Sequence, residues 1–453
     1  MLNSINPATG ETIATYEPHT ETEVEAALLA AEKAYRAGKS DDFSQRAQRL
    51  TKAADILDTR KEEFARLMTA EMGKPISQAR AEVEKCALVC RYYAEEGERF
   101  LADEPLASSK GESFVRTLPL GPILAVMPWN YPFWQVFRFA APNMMAGNTA
   151  LLKHASNVTG CALAIAEVFR EAGFREGSFQ TLKLPSDRIE GVIKAPQIKG
   201  VTLTGSEKAG SAVAAIAGRE IKKTVLELGG SDAFIVMPSA DLEAAVETGV
   251  KARLKNNGQS CIAAKRFIIH ADIYEEFRTG FLGTLAAQTV GDPMRDETDL
   301  GPLFSSEAVE TLKEQIRKST ALGARRTAPD VDLPSGDAWF APAILEDIPA
   351  HSPAALEEFF GPVALFSRVR TLREAIDLTN DHRYGLGSSL WTTDSDEIEM
   401  AVNQIDAGST YVNQMVSSDP KLPFGGTKHS GYGRELSRAG ILEFTNRKTV
   451  AIK

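Results

Sequence analysis

Five short stretches carry residue types that could do chemistry at positions where simple packing accounts for them poorly. Cys261 stands in NNGQSCIAAKRF, behind Asn256, Asn257, Gly258, Gln259 and Ser260 and directly ahead of the apolar run FII. A structural cysteine usually sits within apolar periodicity. Here either the cysteine is incidental, or the loop holds a thiol nucleophile at the edge of a core. Glu227 interrupts the β-patterned TVLELGGSDAFIV just before Gly229 and Gly230. A carboxylate in a strand core is disfavoured unless it is paired or works as an acid or base. Asn130 follows Trp129 in MPWNYP at a strand-to-helix junction, where it either caps the helix or donates to a developing oxyanion. Lys153 emerges from the apolar TALLKH, and a ligand oxygen would satisfy an ammonium that is costly to bury unpaired. Gly205 and Ser206 in LTGSEKAG open a helix whose free N–H groups suit a phosphate. That last signal is weak alone, being neither a Walker loop nor a full G-x-G-x-x-G.

The elements around these residues form a pattern. Residues 21–105 have helical periodicity in three stretches, 22–38, 43–73 and 76–101. From 121 the rhythm alternates: ILAVMP, TALLKH and VTLTGS read as buried strands, and PFWQVFRFAAPNMMAG, TGCALAIAEVFREAG and EKAGSAVAAIAG as helices. Such alternation predicts a parallel, doubly wound α/β sheet, which binds ligands at the carboxyl ends of its strands. A second alternating region runs from Cys261 to about 420, and ILEFTNRKTVAIK reads as an edge strand able to pair outside its own domain.

The totals narrow the function class. A chain of 453 residues exceeds one ordinary core, so two or more domains are expected. With 43% hydrophobic and 25% charged residues it is a globular chain, and its net charge of −10 argues against nucleic-acid or anionic-membrane partners. Cys86 and Cys90 lie four apart on one helical face with no partner pair, and the six histidines are scattered, so no metal is expected. The start, MLNSINPATG, shows no signal peptide, and no apolar run approaches the ~18 residues of a membrane span, so a cytoplasmic enzyme is expected.

PWNYP, LTGS, LELGG, GQSC, EEFFGPV and PFGGTKHSGYGRE together resemble the aldehyde dehydrogenases, in that family's order and across essentially the whole chain. The resemblance implies a Rossmann-like cofactor domain (1–100 and 119–228), a catalytic domain (229–428) and an oligomerisation arm (101–118 and 439–453). It implies that Cys261 attacks the aldehyde carbon while Asn130 and a backbone N–H hold the oxyanion. Hydride leaves for the nicotinamide, and Glu227 activates the water that hydrolyses the thioester. Relatives that pass the acyl group to coenzyme A generally lack this base, so a free carboxylate is the expected product. Trp129, Lys153, Ser156, Gly205, Ser206, Glu358 and Phe360 would bind the cofactor, Glu358 through the nicotinamide ribose. Many NAD-preferring relatives carry a glutamate where this chain has Ser156, so NADP is expected to be preferred, with NAD usable. KHASN, FWQVFRFAAP and SSDPKLPFGGTK are similar to succinate-semialdehyde dehydrogenases, in which the residues matching Arg138 and Ser418 face the substrate carboxylate. Trp134 stands four residues before Arg138 on the same helical face. Arg138 as a merely structural cation would instead suit neutral aldehydes, and a non-redox cysteine hydrolase or acyl transferase is the reading of another class. A homodimer or homotetramer is implied.

Overall fold

The computed structural model describes all residues from Met1 to Lys453. Its first large sheet has six strands in the order Gly431–Tyr432, Lys223–Glu227, Gly200–Thr204, Pro122–Met127, Thr149–His154 and Phe179–Thr181. All neighbours are parallel except the first pair. The central strands are buried along nearly their whole length, as expected of strands covered by helices on both faces. Parallel register aligns their carboxyl ends, with Met127 opposite His154 and Thr204 opposite Glu227. The loops that follow carry Trp129 and Asn130, Ser156, Gly205 and Ser206, and Gly229 and Gly230.

The second sheet has seven strands, in the order Arg325–Thr327, Ala343–Glu346, Val363–Val369, Arg266–His270, Ala233–Val236, Ser388–Trp391 and Thr410–Val412. Only Arg325–Thr327 runs antiparallel to its neighbour. Cys261 lies in the loop entering Arg266–His270, at the amino end of a central strand. The carboxyl end of one sheet therefore meets the amino end of the other, and the Asn130 amide donates across the join to the Gln259 carbonyl at 3.0 Å.

A third, three-stranded sheet pairs Thr445–Ile452 with Glu112–Pro119 over eight residues, and Glu104–Pro105 adds to the other side. The edge strand expected from ILEFTNRKTVAIK starts later than its pattern suggests. Residues 439–443 belong to the helix Ser437–Glu443, which packs on helices Ile76–Leu101 and Trp134–Met145 and not in the arm. The single helical pattern over 43–73 is likewise two helices, Phe43–Thr59 and Lys61–Met72, broken at Arg60. The guanidinium there reaches Glu63 and Glu171, a tertiary tie with no local sequence mark. Gly73 ends the second helix at φ 79°, a left-handed cap that glycine takes without strain. An amino-terminal hairpin, Leu2–Ile5 with Thr12–Tyr16, and the return of Gly431–Tyr432 to the first sheet complete the differences. The largest apolar core lies between the amino-terminal helices and the first sheet, where Leu57, Phe64, Val83, Phe137 and Phe169 are buried. No helix is long and apolar enough to cross a membrane.

Candidate active site

The cysteine loop begins with three successive residues in left-handed conformation: Asn256 and Asn257 at φ 57° and Gly258 at φ 73°. Asparagine tolerates this region better than other side chains, and a Cβ on Gly258 would strike the Gly361 backbone. Most polar side chains in and beside the loop hold its backbone. The Asn257 amide donates to the carbonyls of Gly73 (2.9 Å) and Pro302 (2.8 Å) and accepts from the Gly301 N–H at 2.8 Å. The Asn256 amide donates to the carbonyls of Asn130 (2.8 Å) and Gln259 (3.0 Å). Arg253 donates to the Gly258 carbonyl at 2.6 Å, and Lys265 to those of Ser260 (2.7 Å) and Cys261 (2.6 Å). These eight bonds, at about 1 kcal/mol net each, fix the backbone and leave the thiol free. Cys261 keeps partial exposure and lines a cavity of about 740 Å³. Burial pushes its thiol up to about 12, although Lys265 and Arg138 pull the other way. The thiol is therefore neutral as it stands, and an added positive charge or a base is needed to make the thiolate.

Asn130 does not cap the following helix. The N–H groups of Phe133 and Trp134 at that helix start both donate to Glu82 Oε1 at 2.9 Å, and Glu82 is itself ion-paired with the buried Lys74. A carboxylate from another helix thus does the capping. The Asn130 amide, positioned by Gln135 donating to its oxygen at 3.0 Å, keeps one N–H beyond the bond to Gln259.

Glu227 ends its strand fully buried, and neither carboxylate oxygen has a hydrogen-bond partner. Gly425 makes room for it, since a Cβ there would lie 2.8 Å from Oε1. Burial first, and then the nearby Glu435, push the Glu227 pKa far above the usual carboxylate range, against the pull of Arg138 and Arg434. The Arg138 expected to await a substrate carboxylate already has an acid. It is ion-paired with the buried Glu435, donates to Thr204 Oγ1 at 3.3 Å, and lies 4.6 Å over the Phe424 ring. Arg138 still lines the cavity with Trp134, Ser418 and Cys261, so the structure brings the expected substrate residues together. Lys85 joins them, donating to Ser418 Oγ at 2.7 Å.

The remaining residues stand on both sides of the join: Lys153, Ser156, Gly205, Ser206 and Trp129 on the first sheet's side, Glu358 and Phe360 on the second's. Lys153 is buried with no carboxylate partner, donates to Ser186 Oγ at 3.1 Å, and has its pKa lowered by burial. Ser156 opens the short turn after that strand and is half-buried. Ser206 caps the helix Glu207–Arg219, its Oγ accepting from the Ala209 N–H at 3.3 Å. Gly205 donates to the Glu227 carbonyl at 3.0 Å. Trp129 stacks on Phe304 with ring centroids 3.7 Å apart and meets Phe360 edge-on at 5.9 Å. Glu358 pairs with Lys265 at 3.0 Å and accepts from the Gly230 N–H at 3.2 Å. Lys265 therefore links this carboxylate to the cysteine loop.

The family model described as the aldehyde dehydrogenase family matches residues 1–450. The chain belongs to the aldehyde dehydrogenase family. It is 51% identical to a probable succinate-semialdehyde dehydrogenase (NADP+) of Synechocystis sp., over 100% of this chain and 99% of that protein. It is 50% identical to succinate-semialdehyde dehydrogenase (NADP+) 1 of Mycobacterium tuberculosis, over 100% and 99%. Among solved structures, succinic semialdehyde dehydrogenase from Streptococcus pyogenes in complex with NADP+ superposes with a TM-score of 0.97 at 36% identity, over 100% of both chains.

Several residues of this aldehyde dehydrogenase site escape a reading of the sequence. Glu435 stands inside GYGRE, yet nothing local shows that it meets Arg138. Ser186 and Phe304 reach Lys153 and Trp129 only through the tertiary fold. Lys265 in IAAKRF looks like a surface lysine before a strand and is fully buried. Lys85 sits at the edge of an amphipathic pattern, where a lysine ordinarily faces solvent.

Proposed function

We propose that this aldehyde dehydrogenase oxidises succinate semialdehyde to succinate, with NADP+ as the preferred hydride acceptor and NAD+ as a usable one. The observation that carries the reading is one cavity lined by the Cys261 thiol and by cationic and hydroxyl groups, Lys85, Arg138 and Ser418. An aldehyde bearing a carboxylate a few carbons away would present both ends to such a chamber. The succinate-semialdehyde dehydrogenases to which the chain is similar support the same substrate.

In this reading Cys261 Sγ attacks the aldehyde carbon, and the Asn130 amide N–H and a backbone N–H stabilise the oxyanion. The nicotinamide, when bound, supplies the hydride acceptor and a positive charge beside the thiol. Collapse of the thiohemiacetal on Cys261 leaves a thioester, and Glu227 takes a proton from the water that hydrolyses it. Glu358 would hold the nicotinamide ribose, with Trp129 and Phe360 flanking. Lys153, Ser156, Gly205 and Ser206 would face the adenosine ribose and phosphates. The donor set fits an anion: Lys153 is buried without a counter-ion and donates to the Ser186 hydroxyl.

The pairing of Arg138 with Glu435 favours a second reading, a dehydrogenase of neutral aldehydes. Reduced-cofactor absorbance with succinic semialdehyde, glutaric semialdehyde and butanal separates the two. Preference for butanal would overturn the succinate-semialdehyde reading, and no cofactor reduction with any aldehyde would overturn both.

Wild-type enzyme should show the higher kcat/KM with NADP, and Ser156→Glu should shift preference towards NAD by tenfold or more. Like charges in contact at surface-like dielectric repel by about 1–4 kcal/mol, enough for that change. Measuring both cofactors at saturating aldehyde decides it, and a clear wild-type preference for NAD would refute the role given to Ser156.

We also propose the division into a cofactor domain (1–100 and 119–228), a catalytic domain (229–428) and an arm. The strand Thr445–Ile452 leaves its outer edge unpaired in the arm sheet, which suits pairing with a second copy in a homodimer or homotetramer. Four free cysteines suit a reducing, cytoplasmic setting.

A further inference from the structure

The nucleophile loop is held from below by a buried lysine that also faces an acid. Lys265, four residues after Cys261, is fully buried. Its Nζ donates to the Ser260 carbonyl at 2.7 Å and to the Cys261 carbonyl at 2.6 Å, and it pairs with Glu358 Oε1 at 3.0 Å. All three N–H donors of the ammonium are therefore engaged, two of them on the loop. A neutral donor could hold two carbonyls as well. Burying a full positive charge to do so is costly, so the charge itself calls for a reason.

Glu358 supplies part of that reason. Its Oε1 makes both of its side-chain contacts, with Lys265 and with the Gly230 N–H, while Oε2 accepts no hydrogen bond and faces Gly229, where a Cβ would stand 2.6 Å away. The other part is the thiol. Among the charges that act on Cys261, Lys265 favours the thiolate most, ahead of Arg138, and Glu358 and Asp232 oppose it. Three further groups face this pair. Asp232, raised by burial to about 7, accepts from the Gly387 N–H at 3.0 Å; Arg253 acts on Glu358; and His382 is kept neutral by burial and by the surrounding cations. None of the three bonds to the Lys265 ammonium. Lys265 and Glu358 thus form a charge pair whose positive end is bonded to the cysteine's own carbonyl. A ribose hydroxyl donating to Oε2 would draw negative charge away from that end.

Resting on the reading of Cys261 as the nucleophile, we propose that Lys265 is a positioning residue whose buried charge favours the Cys261 thiolate, and that Glu358 holds this charge in check. The carboxylate proposed for the nicotinamide ribose thereby also governs how reactive the thiol is.

The test is the rate at which iodoacetamide alkylates Cys261 in the cofactor-free protein, followed across neutral pH by the mass of the peptide that carries it. Wild type, Lys265→Gln and Glu358→Gln are compared at each pH, so the titration of Asp232 is common to all. Glutamine at 265 keeps an N–H donor for the loop carbonyls and removes the charge. At the effective dielectric of about 20 that suits buried sites, a nearby unit charge changes the thiolate fraction by about 10- to 100-fold. The rate changes less, by about 3- to 10-fold, because a more basic thiolate is the better nucleophile. Lys265→Gln should be slower by that factor and Glu358→Gln faster by a similar one. A loop that had merely loosened would not give opposite signs in the two variants. Equal rates in Lys265→Gln and wild type, or changes of the same sign in both variants, overturn the proposal. The buried Cys86, Cys90 and Cys161 report unfolding. Should they become reactive in Lys265→Gln, Glu358→Gln decides alone, and a rate no faster than wild type overturns the proposal. Wild-type protein that still oxidises aldehyde after complete alkylation of Cys261 overturns the nucleophile reading, and the role of Lys265 with it.

Discussion

Replacing Cys261 with alanine should lower aldehyde oxidation by at least about a thousandfold and leave NADP binding in place, because the variant loses only its nucleophile. The separation of these two effects follows from how the loop is held. The contacts that fix its backbone come from Gln78, Asn130, Asn256, Asn257, Arg253 and Lys265, and none uses Sγ. The loop of the alanine variant should therefore stand where it does now. Lys153, Ser206 and Trp129 lie on the other side of the join and are untouched. Steady-state reduction of NADP with succinic semialdehyde gives the first quantity and fluorescence titration with NADP the second. Retained turnover in the alanine variant would sink the covalent mechanism. Loss of cofactor binding would mean that the thiol also holds the loop.

Glu227→Gln should turn steady oxidation into two phases. Rapid mixing should give up to one reduced cofactor per site, followed by turnover slowed by about 10²- to 10⁴-fold, the usual worth of a general base. The first phase needs Cys261 and Asn130; only the second needs a base for water. The sign of the pH dependence follows from the raised pKa of Glu227. The carboxyl is held protonated at low pH and gains its basic form as pH rises, so wild-type deacylation should accelerate with pH. The glutamine variant has no such group and should lack that limb. Loss of both phases would show instead that Glu227 also deprotonates Cys261, whose thiol burial holds neutral.

What the sequence discloses, it discloses through misfits. Cys261 follows five polar or glycine residues, and Glu227 interrupts a strand; both stand out because a local rule is broken. The alternation from 121 onward gives the parallel sheet because each strand and helix has its own local period. Asn130 shows the limit. Its position before a helix suggests a cap, and only the fold brings Glu82 to that helix start. The same holds for Arg138, whose acid lies at the far end of the chain. Lys85 and Lys265 are least legible, since a lysine at a helix edge or before a strand is the pattern of a solvated surface. The break at Arg60 is also hidden, because helical periodicity continues through it and no glycine or proline marks the stop.

The loop that carries the nucleophile also contains Asn257 followed by Gly258, the dipeptide in which an asparagine side chain most readily closes onto the next backbone nitrogen and loses ammonia. Here that amide is bound on both sides, to Gly73, Pro302 and the Gly301 N–H, so its carbon cannot swing onto the Gly258 nitrogen. Folding thus shields the chain from its own chemical ageing. An aspartate formed at this position would point an acceptor at the carbonyls of Gly73 and Pro302 where a donor stood, and the loop could not close again. The lifetime of an enzyme molecule is then set by the time it spends unfolded, and a deamidated loop should be found in protein that has been held unfolded and not in protein kept native.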